Sequence, residues 1–231
     1  MALLTQEGLL FLFRWIHFLA GVTWIGILYY FNFVQGSFFA ETDTSTKNGC
    51  IQKLVPRALW WFRWGAMLTF ISGLLLIGLT VHQAGYEFLS TSWGVLILTG
   101  ALLGTLMWAN VWFVIWPAQK VVIQSTSQVM GGGEAIPQAA AYGAKAGLVS
   151  RTNTLFSIPM LFFMGGARHL SVQVGYDMDF LPLVITLGVI ILALELNAIV
   201  GQLGPMKTVK GVIVSGFALT AVLYGIIEFF V

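Results

Sequence analysis

FRWIHFLAGVTWIG, residues 13–26, sets an arginine three positions before a histidine near the start of a long apolar run. A membrane-buried imidazole ligates haem iron when its other ring nitrogen is hydrogen-bonded and small residues let the porphyrin approach. His17 meets that need. Gly21 lies one turn along the same face, Trp24 two turns along, and Arg14 a turn nearer the interface, in reach of a propionate carboxylate. His169, in GGARHL beside Gly165 and Gly166, is the second candidate ligand, with Arg168 as another carboxylate partner. His82, in TVHQAG, reads as interfacial and replaces either partner if the boundaries shift. A plainer use is open to the same residues: His17 bonds a neighbouring helix, Arg14 reaches lipid headgroups, and Gly21 permits close helix packing.

A separate polar set occupies the other half of the apolar runs: Arg63 in WWFRWG, Asn110 in MWANVWF, and Glu195 with Asn197 in ALELNAI. Intramembrane charge is costly, so Arg63 and Glu195 are expected to face the bundle interior and to pair. The set then serves as a proton path, a quinone-head site or an interhelical polar clamp. In NVWFVIWPAQK, Trp112 and Trp116 suit an interfacial anchor, and Pro117 is expected to end or kink the span. In RTNTLFSIP, Thr152 or Asn153 is a candidate cap and Pro159 a kink, while Arg151 and Asn153 suit an anion, a partner loop or a simple membrane boundary.

Elements able to position these groups follow from composition. Of 231 residues, 58% are hydrophobic and 9% charged, and the mean hydropathy is +0.88, too apolar for a soluble domain to cover itself. Apolar runs of roughly 20 residues recur, the length that crosses a bilayer core. They predict an all-α transmembrane bundle with about six spans, at 9–35, 58–82, 92–117, 149–168, 180–203 and 209–230. The fourth is the weakest and is expected to be kinked or partly re-entrant around Pro159. The whole chain, 1–231, reads as one transmembrane domain with a cytoplasmic helical loop at about 118–150, broken at Gly131–Gly133.

Lys47, Lys53 and Arg57, then Lys120, Lys145 and Arg151, then Lys207 and Lys210 fall in alternate connections, which the positive-inside rule places in the cytoplasm. Both chain ends then face outward, and His17, His82 and His169 share the outer side. The single cysteine, Cys50, excludes an internal disulfide and the C-x-x-C-H attachment of a c-type haem. Nucleotide-loop, H-E-x-x-H and dinucleotide fingerprints do not occur, and the scattered lysines and arginines imply no nucleic-acid partner.

FRWIHFLAGVTWIGILYYFNFVQ, ALWWFRWGAMLTFISGLLLIG, NVWFVIWPAQK and RTNTLFSIPMLFFM together resemble the transmembrane region of the bacterial membrane-bound urate oxidase (urate hydroxylase) family. The resemblance implies an inner-membrane, multi-pass redox protein. Some family members continue into a C-terminal cytochrome c domain, and this sequence ends after its last apolar run without C-x-x-C-H. Electrons would then leave through a separate cytochrome c, a quinone or a respiratory complex. The leading expectation is a haem b protein with His17 and His169 as axial ligands and Arg14 and Arg168 near the propionates, oxidising urate or a related small reductant. A noncatalytic subunit of an energy-converting membrane complex and a small-solute transporter are the alternatives.

Overall fold

The computed structural model describes residues 2–175 and 177–231. Among the described residues nine α-helices follow one another: α1 Gln6–Tyr29, α2 Gly36–Glu41, α3 Thr44–Lys53, α4 Val55–Ala84, α5 Ser92–Ala109, α6 Trp116–Met130, α7 Ala139–His169, α8 Leu181–Val200 and α9 Val209–Phe230. Several start where a polar side chain takes an otherwise unpaired amide of the first turn. Thr5 Oγ1 accepts from Gly8 N–H at 3.2 Å, Asp43 Oδ1 from Thr46 N–H at 3.0 Å, and Thr208 Oγ1 from Gly211 N–H at 2.9 Å. Gly85 (φ 84°) ends α4, and Gly132 (φ 83°) turns the chain between α6 and α7, where Ser125 Oγ accepts from Ile136 N–H at 2.9 Å.

Two π-turns, Tyr30–Gln35 and Asn110–Ile115, splice α1 to α2 and α5 to α6. The splices give unbroken rods Gln6–Glu41 and Ser92–Met130. The second π-turn sits just before Pro117. That proline was expected to end or kink the span, but the helix instead widens by a residue per turn and continues to Met130. Pro159 likewise interrupts nothing: α7 runs helical through it for 31 residues, so the expected re-entrant fourth span is a continuous helix that begins ten residues earlier than 149.

Among the described residues five helical rods are long and apolar enough to cross a membrane, Gln6–Glu41, Val55–Ala84, Ser92–Met130, Leu181–Val200 and Val209–Phe230. α7 is the sixth long helix among the described residues and falls outside that class, its middle carrying Arg151, Thr152, Asn153, Thr154 and Ser157. It packs against α5, α6, α8, α9 and the α1 rod, and Thr152, Asn153, Thr154 and Ser157 are exposed by 1% or less. Three of these hydroxyls donate back along the helix, Thr152 to Leu148 O, Thr154 to Ser150 O and Ser157 to Thr154 O. Asn153 reaches across instead, donating from Nδ2 to Met107 O at 2.9 Å and accepting from Asn110 Nδ2 at 2.9 Å.

α9 runs parallel to α7, the spine of the bundle, with Gly216 lying against Ile158 and Tyr224 against Phe162, and the two spliced rods run against it. α1 and α4 run antiparallel and touch at the backbone, since a Cβ at Gly65 would stand 3.2 Å from Trp24 N and 3.3 Å from Ala20 O. The α1 rod is antiparallel to α7 through Tyr29–Ser157 and Asn32–Ser150 contacts, as is the α5–α6 rod through Asn110–Asn153. Asn153→Ala leaves both Met107 O and Asn110 Nδ2 without that partner. It is predicted to destabilise the detergent-solubilised protein by about 1–2 kcal/mol, read as a lower midpoint of thermal unfolding by circular dichroism; an unchanged midpoint would show that the spine does not rely on this amide.

Candidate functional site

At the end of the bundle where α4 and α7 begin, four elements leave a cleft of about 220 Å³. Its wall comes from the first π-turn (Phe31, Asn32, Gln35), the start of α4 (Val55, Leu59, Phe62), Ile115 and Gln119, and the first half of α7 (Gly143, Ala146, Gly147, Ser150, Arg151). The volume is below the roughly 300 Å³ at which pockets for drug-sized molecules begin, so the cleft suits a small ligand. Phe31 and Phe62 meet edge to face with centroids 5.6 Å apart, giving an aromatic wall. Opposite them the α7 glycines leave space, and a Cβ at Gly147 would meet nothing within 4 Å.

Polarity in the cleft is unfinished. Asn32 is spent, donating from Nδ2 to Leu28 O at 2.9 Å and to Ser150 Oγ at 2.8 Å. Arg151 Nη1 and Gln35 Oε1, by contrast, are buried and have no hydrogen-bond partner. Buried polar atoms are nearly always paired, so an unpaired donor from α7 and an unpaired acceptor from the first π-turn, both among the residues lining the cleft, mark a place that a water or a polar ligand completes. Arg151 brings a positive charge and donors, and Gln35 an acceptor. The arrangement can hold a small flat molecule that is anionic or carbonyl-rich at one edge and carries an N–H at another.

Of the groups singled out in the sequence, Arg151 lies here and Asn110, Asn153 and Glu195 form a separate clamp. Asn110 Nδ2 donates both to Asn153 Oδ1 and, at 3.1 Å, to Glu195 Oε2. Asn197 is parted from the clamp, closing the end of α8 by donating to Gln202 O at 3.0 Å. Arg63 does not take Glu195 as its partner. Its guanidinium carbon lies 4.1, 5.1 and 5.6 Å from the ring centroids of Trp116, Trp112 and Trp64.

All three histidines sit at the opposite end of the bundle. His17 and His169 are each twelve positions from the Tyr29–Ser157 hydrogen bond, about 18 Å along their helices. His82 and His169 are exposed near the ends of α4 and α7, as are Arg14 and Arg168 on their helices. His17 is half-buried, with Nδ1 3.0 Å from Ser72 Oγ. That hydroxyl also lies 2.6 Å from Leu68 O, so His17 is tied to α4 through Nδ1, and Nε2 takes no part in that contact. The face that a porphyrin would need is nevertheless covered by α4: His17 lies against Gly73, Gly21 faces Thr69, and Trp24 packs on Gly65. The chain's residues therefore do not fit a haem laid over Gly21 and Trp24.

Asn32, Gln35, Gln119 and Ser150 were not singled out from the sequence. The signal available was Asn32 and Gln35 in YFNFVQG, two amides one turn apart in an otherwise apolar run. Because Gln35 Oε1 has no protein partner, Gln35→Met is predicted to leave the ligand-free protein as stable as the wild type or slightly more so. A clearly lowered unfolding midpoint would mean that the amide is already satisfied.

Residues 78–223, more than half of the chain, match the family described as Urate oxidase N-terminal. No curated protein and no solved structure matches the chain.

Proposed function

The chain belongs to the urate oxidase N-terminal family, and from that premise we propose that it is a membrane redox protein that oxidises urate or a related small reductant. The substrate sits in the cleft at the start of α4 and α7, and its electrons pass to a separate cytochrome or quinone. The observation that carries the reading is the pair of groups without a partner among the described residues, Arg151 Nη1 from α7 and Gln35 Oε1 from the first π-turn, which both line a small cleft. Urate is flat, weakly acidic, and edged by carbonyl oxygens and ring N–H groups. Arg151 supplies charge-assisted donors to its carbonyl or anionic edge, Gln35 accepts from a ring N–H, and Phe31 and Phe62 pack beside the ring.

The proposal places the chain in a bacterial inner membrane with six passes and both ends outward. Alternating helix direction supports the six passes, and the lysines and arginines in alternate connections support the orientation. The cleft then opens toward the cytoplasm, and α7 crosses as the central span, exposing Leu161 and Phe162.

Haem b is a second reading, favoured by one observation, the Ser72 contact that holds His17 by Nδ1 and leaves Nε2 outside it. Bound there, the group would supply one-electron exchange at the outer end. Since α4 covers the neighbouring face, no step is routed through it. A reduced-minus-oxidised spectrum decides the point: b-type absorption lost in His17→Ala establishes the haem, and its absence from freshly solubilised protein removes it.

Turnover is tested with the protein in lipid nanodiscs, following urate loss against added cytochrome c or a soluble quinone. Wild-type protein is expected to couple the two. Arg151→Gln should raise KM by about tenfold or more, the loss of a charged hydrogen bond of roughly 1.5–3 kcal/mol, with a smaller change in kcat. Gly147→Leu should block turnover without lowering the unfolding midpoint, since its side chain enters open space. Urate untouched with every acceptor, while the chain copurifies with a respiratory complex, would overturn catalysis in favour of the noncatalytic subunit.

A further inference from the structure

Where α4 meets α6, two cations share one indole. The Arg63 guanidinium carbon lies 4.1 Å from the Trp116 ring centroid and the Lys120 Nζ lies 5.6 Å from it. Both positive charges therefore stand within about 10 Å of each other, a separation over which physiological salt screens only partly. Among the described residues neither has a carboxylate partner, and Glu195, the acid expected for Arg63, is held by Asn110 instead. Indole faces lower the energy of a cation but do not neutralise it.

Two further atoms show what is missing. Arg63 Nε and Trp112 Nε1 are buried N–H donors without an acceptor, and Trp112 is itself within 5.1 Å of the Arg63 guanidinium. Unmet donors beside two unneutralised cations call for an anion with several acceptor oxygens. Its surroundings are apolar: Trp60, Trp61 and Phe113 are 49%, 58% and 69% exposed, a belt of the kind that marks a membrane interface. Arg63 is eight positions past the start of α4, about 12 Å along the helix, and the exposed Lys120 lies beyond it toward the same end.

We propose that Arg63 and Lys120, held over the Trp116 ring, and the Trp112 indole N–H bind the phosphate of an anionic phospholipid in the leaflet beside the start of α4, with its acyl chains along Trp60, Trp61 and Phe113. The site depends on the membrane placement of the chain and not on oxidation, so a protein that turned over no urate would still bind the lipid. Basic groups between spans on the cytoplasmic side are suited to such headgroups.

The test reconstitutes the chain in nanodiscs of equimolar phosphatidylglycerol and phosphatidylcholine, then counts retained lipid by native mass spectrometry after delipidation. Wild-type protein is expected to keep phosphatidylglycerol in preference to phosphatidylcholine. Arg63→Gln with Lys120→Gln should lose about tenfold or more of that preference, at roughly 1 kcal/mol per basic group, with helicity by circular dichroism unchanged. Should the double variant not fold, the exposed Lys120→Gln alone must still lower retention. Equal retention of the two lipids by the wild type, or unchanged preference in the folded variants, would overturn the site. Inorganic phosphate that binds the wild type in phosphatidylcholine alone and displaces phosphatidylglycerol would overturn the lipid in favour of a soluble phosphate. Urate turnover, measured alongside, reports separately on the oxidation reading.

Discussion

The interior of this bundle is organised by α7, a helix whose buried polar side chains must find partners inside the protein. Thr152, Asn153, Thr154 and Ser157 are almost fully inaccessible, and buried polar groups are paired within the protein. The hydroxyls solve the problem locally by bonding to carbonyls three or four residues back. Asn153 needs a neighbour, and Asn110 and the Met107 carbonyl fix the α5–α6 rod against it. Ser150 and Ser157 draw the α1 rod to the same spine through Asn32 and Tyr29.

Both π-turns fall where those contacts are made. A widened turn changes which residues face the spine, and in each case a buried asparagine, Asn32 or Asn110, belongs to the π-turn and meets α7. The same turns shape the functional surfaces. Gln35 ends the first π-turn at the cleft wall, and Ile115 ends the second. Adjacent residues then serve different places: Phe62 and Ile115 line the cleft, whereas Arg63 and Trp116 build the indole cage.

Periodicity and run length were enough to read an all-helical protein with apolar rods, and the boundaries at Val55–Ala84 and Val209–Phe230 fall close to the runs. α7 was the weak span in the sequence for a physical reason. A helix shielded by its neighbours need not be apolar, so hydropathy undercounts the element on which the others pack. Pro117 and Pro159 read as interruptions because local chemistry says so, yet packing carries the helix past both. For the site, Arg151 and the Asn110, Asn153 and Glu195 set were visible as polar residues in apolar surroundings. Which of them meet depends on helix register, which no single run encodes; so Arg63 and Glu195, natural partners by charge, belong to different places. His17 fared similarly: its spacing to Gly21 and Trp24 suits a cofactor or a helix, and Ser72, Thr69 and Gly65 on α4 occupy that face.

Amide hydrogen exchange of the nanodisc-embedded protein, with and without saturating urate, tests the location of the site most directly. The account predicts that urate slows exchange together in 31–36, 115–119 and 143–151, the segments that converge on the cleft, and leaves 14–24 unchanged. Protection confined to the His17 end of the bundle, or none anywhere, would contradict it.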